Sequence, residues 1–273
     1  MKKALGVCLG ASTVSFVRTE LDENGSILVR ETRSIVHNGD PKGIFEENLR
    51  SFTAEGIPVV VTGRKFRELV KLPTISEPEA SELALRFLNE SRTKYDAIAS
   101  LGGETFIVYP LDEDNQVASV ITGNKCASGT GEFFLQQIKR MNLSVEDAIA
   151  EARNEEPFRV SGRCSVFCKS DCTHALNKGT PIGEVAAGLS QMIAEKAEEL
   201  LRKVPRNKVL VVGGVSANDI VMHFLRKKVP SMEIPQYATC FEALGAAIYA
   251  LQNEDIQVLK SCDDIFSEKT SSF

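Results

Sequence analysis

Three glycine turns and a scattered set of cysteines carry the chemistry open to this chain. In Gly6-Val7-Cys8-Leu9-Gly10-Ala11-Ser12-Thr13 an apolar run breaks into a turn holding one glycine and two hydroxyl residues. The backbone at Gly10 and the side chains of Ser12 and Thr13 suit the wrapping of N–H and O–H donors around a phosphate. Leu101-Gly102-Gly103-Glu104-Thr105 repeats the arrangement, with Gly102, Gly103 and Thr105 as its donors. Val211-Val212-Gly213-Gly214-Val215-Ser216-Ala217-Asn218 adds a strand, a glycine pair and a helix start. There a base and ribose could lie on the bare backbone of Gly213 and Gly214, with Asn218 closing the turn. Three such turns in this order point to a bound nucleotide.

The seven cysteines are Cys8, Cys126, Cys164, Cys168, Cys172, Cys240 and Cys262. Their number is odd, and Met1-Lys2-Lys3 with the run that follows reads as a first strand rather than an export signal, so a disulfide framework does not fit. Metal binding, redox chemistry and plain burial stay open. Only three histidines are present, which argues against a His-rich zinc site. Cys164, Cys168 and Cys172 form a C-x3-C-x3-C run, which on a helix would make one stripe about 80° wide. That run fits a second metal site, alternative ligands or packing, although residues 157–169 read poorly as a helix.

The elements that must position these residues repeat. Residues 4–9, 13–21 and 27–36 are short β-branched runs parted by Gly10 and by the hairpin signal Asp22-Glu23-Asn24-Gly25. A helix at 41–53, a buried strand at 57–62 and an acidic-started helix at 77–89 follow. The pattern then begins again, with strands at 95–101, 105–111 and 116–122 around a second hairpin signal, Asp112-Glu113-Asp114-Asn115. Helices are expected at 131–141, 145–154, 182–204, 217–228 and 241–252, with a strand at 208–212, and residues 261–273 read as a polar, loose tail. The fold expected is α/β, with residues 1–92 and a closing helix in 241–273 as one lobe and residues 93–240 as the other. Ligands favour the interface between such lobes.

Composition narrows the partners. The chain has 273 residues, 43% of them hydrophobic, enough for a filled core. Acidic residues outnumber basic ones, 37 to 32, for a net charge of −5, so no basic excess points to nucleic acid or anionic lipid. No run of about 18 apolar residues marks a membrane span. A cytoplasmic protein is expected.

On these glycine turns the chain resembles the superfamily of acetate kinase, sugar kinases, Hsp70 and actin. Within it, the chain is most similar to the activators of 2-hydroxyacyl-CoA dehydratases and the related ATPase subunits of benzoyl-CoA reductase. The most specific segments are Asn124-Lys125-Cys126-Ala127-Ser128-Gly129-Thr130-Gly131 and Cys164-Ser165-Val166-Phe167, with Ala243-Leu244-Gly245-Ala246-Ala247 near the end. The resemblance implies duplicated actin-like (ribonuclease H-like) lobes with a nucleotide cleft between them. It implies a homodimer with one 4Fe-4S cluster on its twofold axis, ligated by Cys126 and Cys164 of each subunit, and ATP or ADP with Mg²⁺ in each cleft. Gly129, Thr130 and Gly131 join the cofactor-binding set, and Cys168 and Cys172 are possible additional ligands.

The implied mechanism is anaerobic one-electron transfer. A flavodoxin or ferredoxin reduces the cluster, ATP binding and hydrolysis turn the cysteine-bearing helices, and the electron passes to a CoA-ester dehydratase or reductase. Depressing a one-electron potential by ~200 mV takes roughly 5 kcal/mol, within reach of nucleotide binding. One departure stands out. The superfamily places an aspartate at each phosphate turn to hold Mg²⁺ and orient the attacking water, and this chain has Cys8 and Ser100 there. Glu104 is the carboxylate left to serve as a catalytic group. A non-hydrolysing nucleotide and iron–sulfur module, a piece of a larger protein, or a sugar kinase of the same superfamily are the rival readings.

Overall fold

The computed structural model describes residues 2–53, 56–64, 66–89, 91–123, 130–162, 164–259 and 265–266. The chain divides into two compact units, one made of Met1–Thr93 and Thr239–Phe273, the other of Lys94–Ala238.

In the first unit, β1 (Lys3–Leu9), β2 (Thr13–Leu21) and β3 (Ile27–Val36) form an antiparallel meander, and β4 (Val59–Thr62) adds in parallel to β1 after α1 (Pro41–Thr53). The strand order is β3-β2-β1-β4. The hairpin between β2 and β3 closes because the Asp22 carboxylate accepts the backbone N–H groups of Asn24 and Ser26 at 2.9 and 2.8 Å. One face of this sheet packs on Phe45, Leu49 and Phe52 of α1. The other meets α2 (Glu77–Leu88) and α8 (Phe241–Gln252) through Ala4, Val60, Ala80, Ala246 and Ala250, and these small residues let the helices approach closely.

The second unit repeats the plan. Strands β5 (Ala97–Leu101), β6 (Phe106–Pro110) and β7 (Ile121–Thr122) form the meander, β8 (Val209–Val212) adds in parallel to β5, and β9 (Met232–Glu233) extends the edge. Its order is β7-β6-β5-β8-β9, so β5 stands where β1 stands in the first sheet. Asp112 closes the hairpin as Asp22 does, accepting from the N–H groups of Asp114 and Gln116, each at 2.9 Å. Helices α3 (Gly131–Arg140), α4 (Val145–Ala152), α5 (Ser165–Asn177), α6 (Ile182–Leu201) and α7 (Asp219–Arg226) complete it. The α6 helix is its buried spine, contributing Val185, Leu189, Ile193, Ala197 and Leu201 to the main core.

Four expectations are corrected. The strand expected at 116–122 shrinks to β7 and a bridge from Val117 to Leu111, because Ala118, Ser119 and Val120 are exposed and have no core to face. The stretch after Cys164 is helical from Ser165, buried on one side by Cys168, Cys172 and Ala175. The helix expected over 217–228 splits into a 3-10 turn, Gly214–Ala217, and α7, since the Asn218 side chain accepts from the N–H groups of Ile220 and Val221 and starts a new helix. The tail is not wholly loose: Ile265 is buried, and Phe266 pairs with Val70 and meets the Phe45 ring edge-on. Among the described residues no helix is long and apolar enough to cross a membrane.

Candidate functional site

In both units a glycine turn sits where a parallel strand pair ends, and one backbone device builds both ends. Gly63, just past β4, has φ +128°, and a Cβ there would come within 2.4 Å of the Leu9 carbonyl oxygen at the end of β1. Gly213, just past β8, has φ +91°, and a Cβ there would come within 2.6 Å of the Leu101 carbonyl oxygen at the end of β5. Only glycine satisfies both the left-handed backbone and the close approach. Gly63→Ala should therefore cost about 2 kcal/mol or more of stability, read as a lowered urea midpoint with unchanged slope. An unchanged midpoint would refute the strain assignment.

In the second unit, several residues picked out for nucleotide binding lie together. The N–H of Gly131 donates to Gly102 O at 3.2 Å, and that of Glu132 donates to Gly103 O at 2.8 Å. The start of α3 is thereby bolted onto the second glycine turn, with Thr130 as its N-cap. Val215 packs against Gly131, where a Cβ would meet Val215 Cγ2 at 2.9 Å. Gly214 is exposed with open space where a Cβ would stand, whereas Asn218 is buried and held as the N-cap of α7. Glu104 and Thr105 follow at the turn, Glu104 exposed and Thr105 half-buried. Gly129 lies outside the described residues.

In the first unit, Gly10 N–H donates to Thr13 O at 2.9 Å, closing the first glycine turn, and Ser12 is buried within it. Cys8, one of the two departures, has unexpected neighbours. Burial together with the nearby carboxylates of Glu242 and Glu77 pushes its thiol well above the ordinary range. Glu77 is itself raised to about 7, by burial first and Glu242 second, with Arg64 and Arg67 pulling the other way. Burial and Glu242 also lift Cys240 to about 11. Sequence reasoning saw Glu77 only as an acidic helix start and did not single out Glu242.

A carboxyl whose folded pKa exceeds its unfolded value of 4.5 contributes stability that is full below about pH 4.5 and is lost as pH rises through about 7. Glu77→Gln should gain on the parent protein between pH 5 and pH 8 by on the order of 3 kcal/mol. Urea midpoints of both proteins at the two pH values measure this, and a pH-independent difference would refute it.

The cysteines divide. Cys164 is half-buried at the N-cap of α5, and its side chain makes no capping hydrogen bond. Cys168 and Cys172 are buried in the core, where the hydrogen bond to Cys172 first and burial second push the Cys168 thiol up. His174 is exposed. Cys126, Lys125, Arg163 and Cys262 lie outside the described residues, and among the described ones no three His, Cys, Asp or Glu side chains gather as a metal-binding group.

Two sheets with matching strand orders, each with its glycine turn at the end of the first strand, make the actin-like ATPase fold, which solved relatives share. The activator of 2-hydroxyisocaproyl-CoA dehydratase from Clostridium difficile, solved with bound ADPNP, superposes with a TM-score of 0.78 at 25% identity, covering 92% of this chain and 94% of that one. A ROK family glucokinase from Streptomyces griseus reaches 0.50 at 14% identity, over 92% of this chain and 100% of that one, a likeness of fold alone. The model of the BadF/BadG/BcrA/BcrD ATPase family matches residues 51–250, and the protein belongs to that family. The 2-hydroxyisocaproyl-CoA dehydratase activator of Clostridioides difficile is 27% identical over 180 residues, 64% of this chain and 66% of that protein. The (R)-2-hydroxyglutaryl-CoA dehydratase activating ATPase of Acidaminococcus fermentans is 28% identical over 188 residues, 66% of this chain and 70% of that protein. The matched region thus spans about two thirds of the length of these curated relatives.

Proposed function

We propose that the protein is an ATP-dependent reductive activator, a homodimer that passes a low-potential electron to a 2-hydroxyacyl-CoA dehydratase or a related CoA-ester reductase. The observation that carries this reading is the setting of Cys164, in a family whose similar members are named as dehydratase activators. Its thiol is half-buried at a helix N-terminus and makes no capping hydrogen bond, which leaves the sulfur available as a ligand. Beside it Val166 and Phe167 are 69% and 63% exposed, an apolar pair that a second copy of the chain would cover. Cys126 and Cys164 of each subunit would hold the 4Fe-4S cluster, four thiolates in all, and a twofold axis supplies that count from two per chain. The cluster supplies one-electron transfer, with a flavodoxin or ferredoxin as its donor. The chain's own residues do the rest: α5 orients Cys164, its apolar first turn excludes water, and the glycine turns at Gly10–Thr13, Gly102–Thr105 and Gly213–Asn218 bind ATP or ADP.

A native mass spectrum of protein purified without oxygen tests this. A dimer carrying one 4Fe-4S cluster is the expected result. A metal-free monomer after anaerobic reconstitution would overturn it.

Cys8 and Ser100 favour one rival, a module that binds nucleotide without hydrolysing it. Mg²⁺-dependent ATP turnover separates the two: turnover lost in Gly103→Arg supports the ATPase, and a parent protein that binds ATP without turning it over supports the rival.

A further inference from the structure

His37 has no part in the reading above, and three hydrogen bonds hold it in place. Its own N–H donates to Ser12 O at 3.0 Å, one step beyond the last rung of the β2–β3 ladder, where Thr13 pairs with Val36. His37 therefore stands across from Ser12, a member of the first glycine turn. Asn38 and Gly39 then take left-handed backbone, with φ of 48° and 93°, and the chain doubles back so that the Asp40 N–H donates to His37 O at 2.8 Å. The same turn brings the Gly39 N–H to His37 Nδ1 at 3.1 Å. Asp40 ties this turn to α1, where its carboxylate accepts from the Gly43 N–H at 2.8 Å.

The bond at Nδ1 assigns the tautomer. Nδ1 accepts, so it carries no proton, and the proton of the neutral ring sits on Nε2. His37 is 8% exposed, and its Nε2 is buried without a hydrogen-bond partner among the described residues. A ring pinned on one side thus presents one N–H that these residues do not satisfy, and a buried donor so held calls for an acceptor from outside the chain. The neighbourhood indicates its chemistry. The turn beside the ring is the Gly10–Thr13 loop, whose backbone and hydroxyls suit an anion, and a phosphate oxygen there is an acceptor within the reach of the same face.

We propose that His37 Nε2–H donates to a phosphate oxygen of the nucleotide bound at the first glycine turn, which makes His37 a phosphate-recognition residue of the first unit. The inference rests on the nucleotide reading and adds to it a side-chain contact that neither the glycine motif nor the family resemblance supplies. The Gly39 N–H occupies Nδ1, so the ring keeps its proton on Nε2 and orients the phosphate rather than carrying a proton to or from it. A nucleoside without phosphate gains nothing from this contact.

The test is calorimetric binding of ADPNP and of adenosine to the parent protein, to His37→Asn and to His37→Gln. Asparagine keeps an acceptor for the Gly39 N–H but loses the far donor, so ADPNP affinity should fall about tenfold. Glutamine returns a donor at the reach of Nε2, and its ADPNP affinity should stay within about threefold of the parent's. Adenosine should bind all three alike, and circular dichroism melts establish that each is folded. A second measurement needs no substitution. His37, His174 and His223 are the only histidines, and the last two are exposed, so a slowly exchanging imidazole N–H in the ¹⁵N spectrum belongs to His37. That signal should move downfield with ADPNP and stay in place with adenosine. A folded His37→Asn protein that binds ADPNP like the parent, equal losses for ADPNP and adenosine, or an N–H signal unmoved at saturating ADPNP overturns the inference and leaves the nucleotide reading standing. A parent protein that binds neither compound overturns the nucleotide reading, and this inference with it.

Discussion

A Gly245→Val protein should be destabilised by about 3 kcal/mol or more, enough to leave much of a chain of ordinary stability unfolded. At Gly245 even a Cβ would sit 1.7 Å from the Ala80 carbonyl oxygen, and that oxygen is backbone, so only separation of α2 from α8 relieves the clash. Both helices also cover β1 and β4 through alanines, and spreading them opens the apolar layer built from Ala4, Val60, Ala80, Ala246 and Ala250. Gly214→Ala is the control, since a Cβ there meets nothing within 4 Å. Thermal and urea unfolding of the two proteins should diverge sharply. A Gly245→Val melt within a degree or two of the parent would mean that the helices do not cross as closely as described.

Replacing Cys164 with serine should abolish the broad visible absorbance near about 400 nm that a thiolate-held cluster gives, and dehydratase activation with it. Serine keeps the size of the side chain but is a poor ligand for a soft iron site, and α5 would still start at the same place because the Cys164 side chain does no capping. Folding should therefore be untouched, which separates loss of a ligand from loss of structure. Cys168→Ala is expected to behave in the opposite way. Its thiol is buried in the core, so the truncated protein keeps its colour and loses about 1 kcal/mol of stability. Anaerobic spectra and melts of both variants decide the matter. Colour retained in Cys164→Ser would remove Cys164 from the ligand set, and colour lost in Cys168→Ala would add Cys168 to it.

How far the fold is legible in the sequence varies with the kind of signal. The meander β1 to β3 is readable almost to the residue, because β-branched runs alternate with strong turns and Asp22 closes its hairpin through local hydrogen bonds. The start of α2 is equally plain, with Ser76 as N-cap, Pro78 in the first turn and acids nearby. The α5 helix is obscured because its exposed face carries Val166 and Phe167 while its buried face carries cysteines, which flattens the apolar periodicity. The two-residue strand β9 and the docking of Ile265 and Phe266 leave no local mark.

Local chemistry, then, determined in this chain the glycine turns, the duplicated order of strands and helices, the place of Cys8 and Ser100 beside the first two glycine turns, and the family resemblance. These rest on interactions among residues near one another in sequence, and on motifs that survive without knowledge of packing. The tertiary structure alone decided that Glu77 and Glu242 meet beside Cys8 and Thr62, and that Cys168 and Cys172 lie in the core while Cys164 stays half-exposed. Neither outcome has a local signature. The first depends on α2 and α8, far apart in the chain, crossing at a glycine and ending at the same edge of one sheet. The second depends on which side of α5 the core covers.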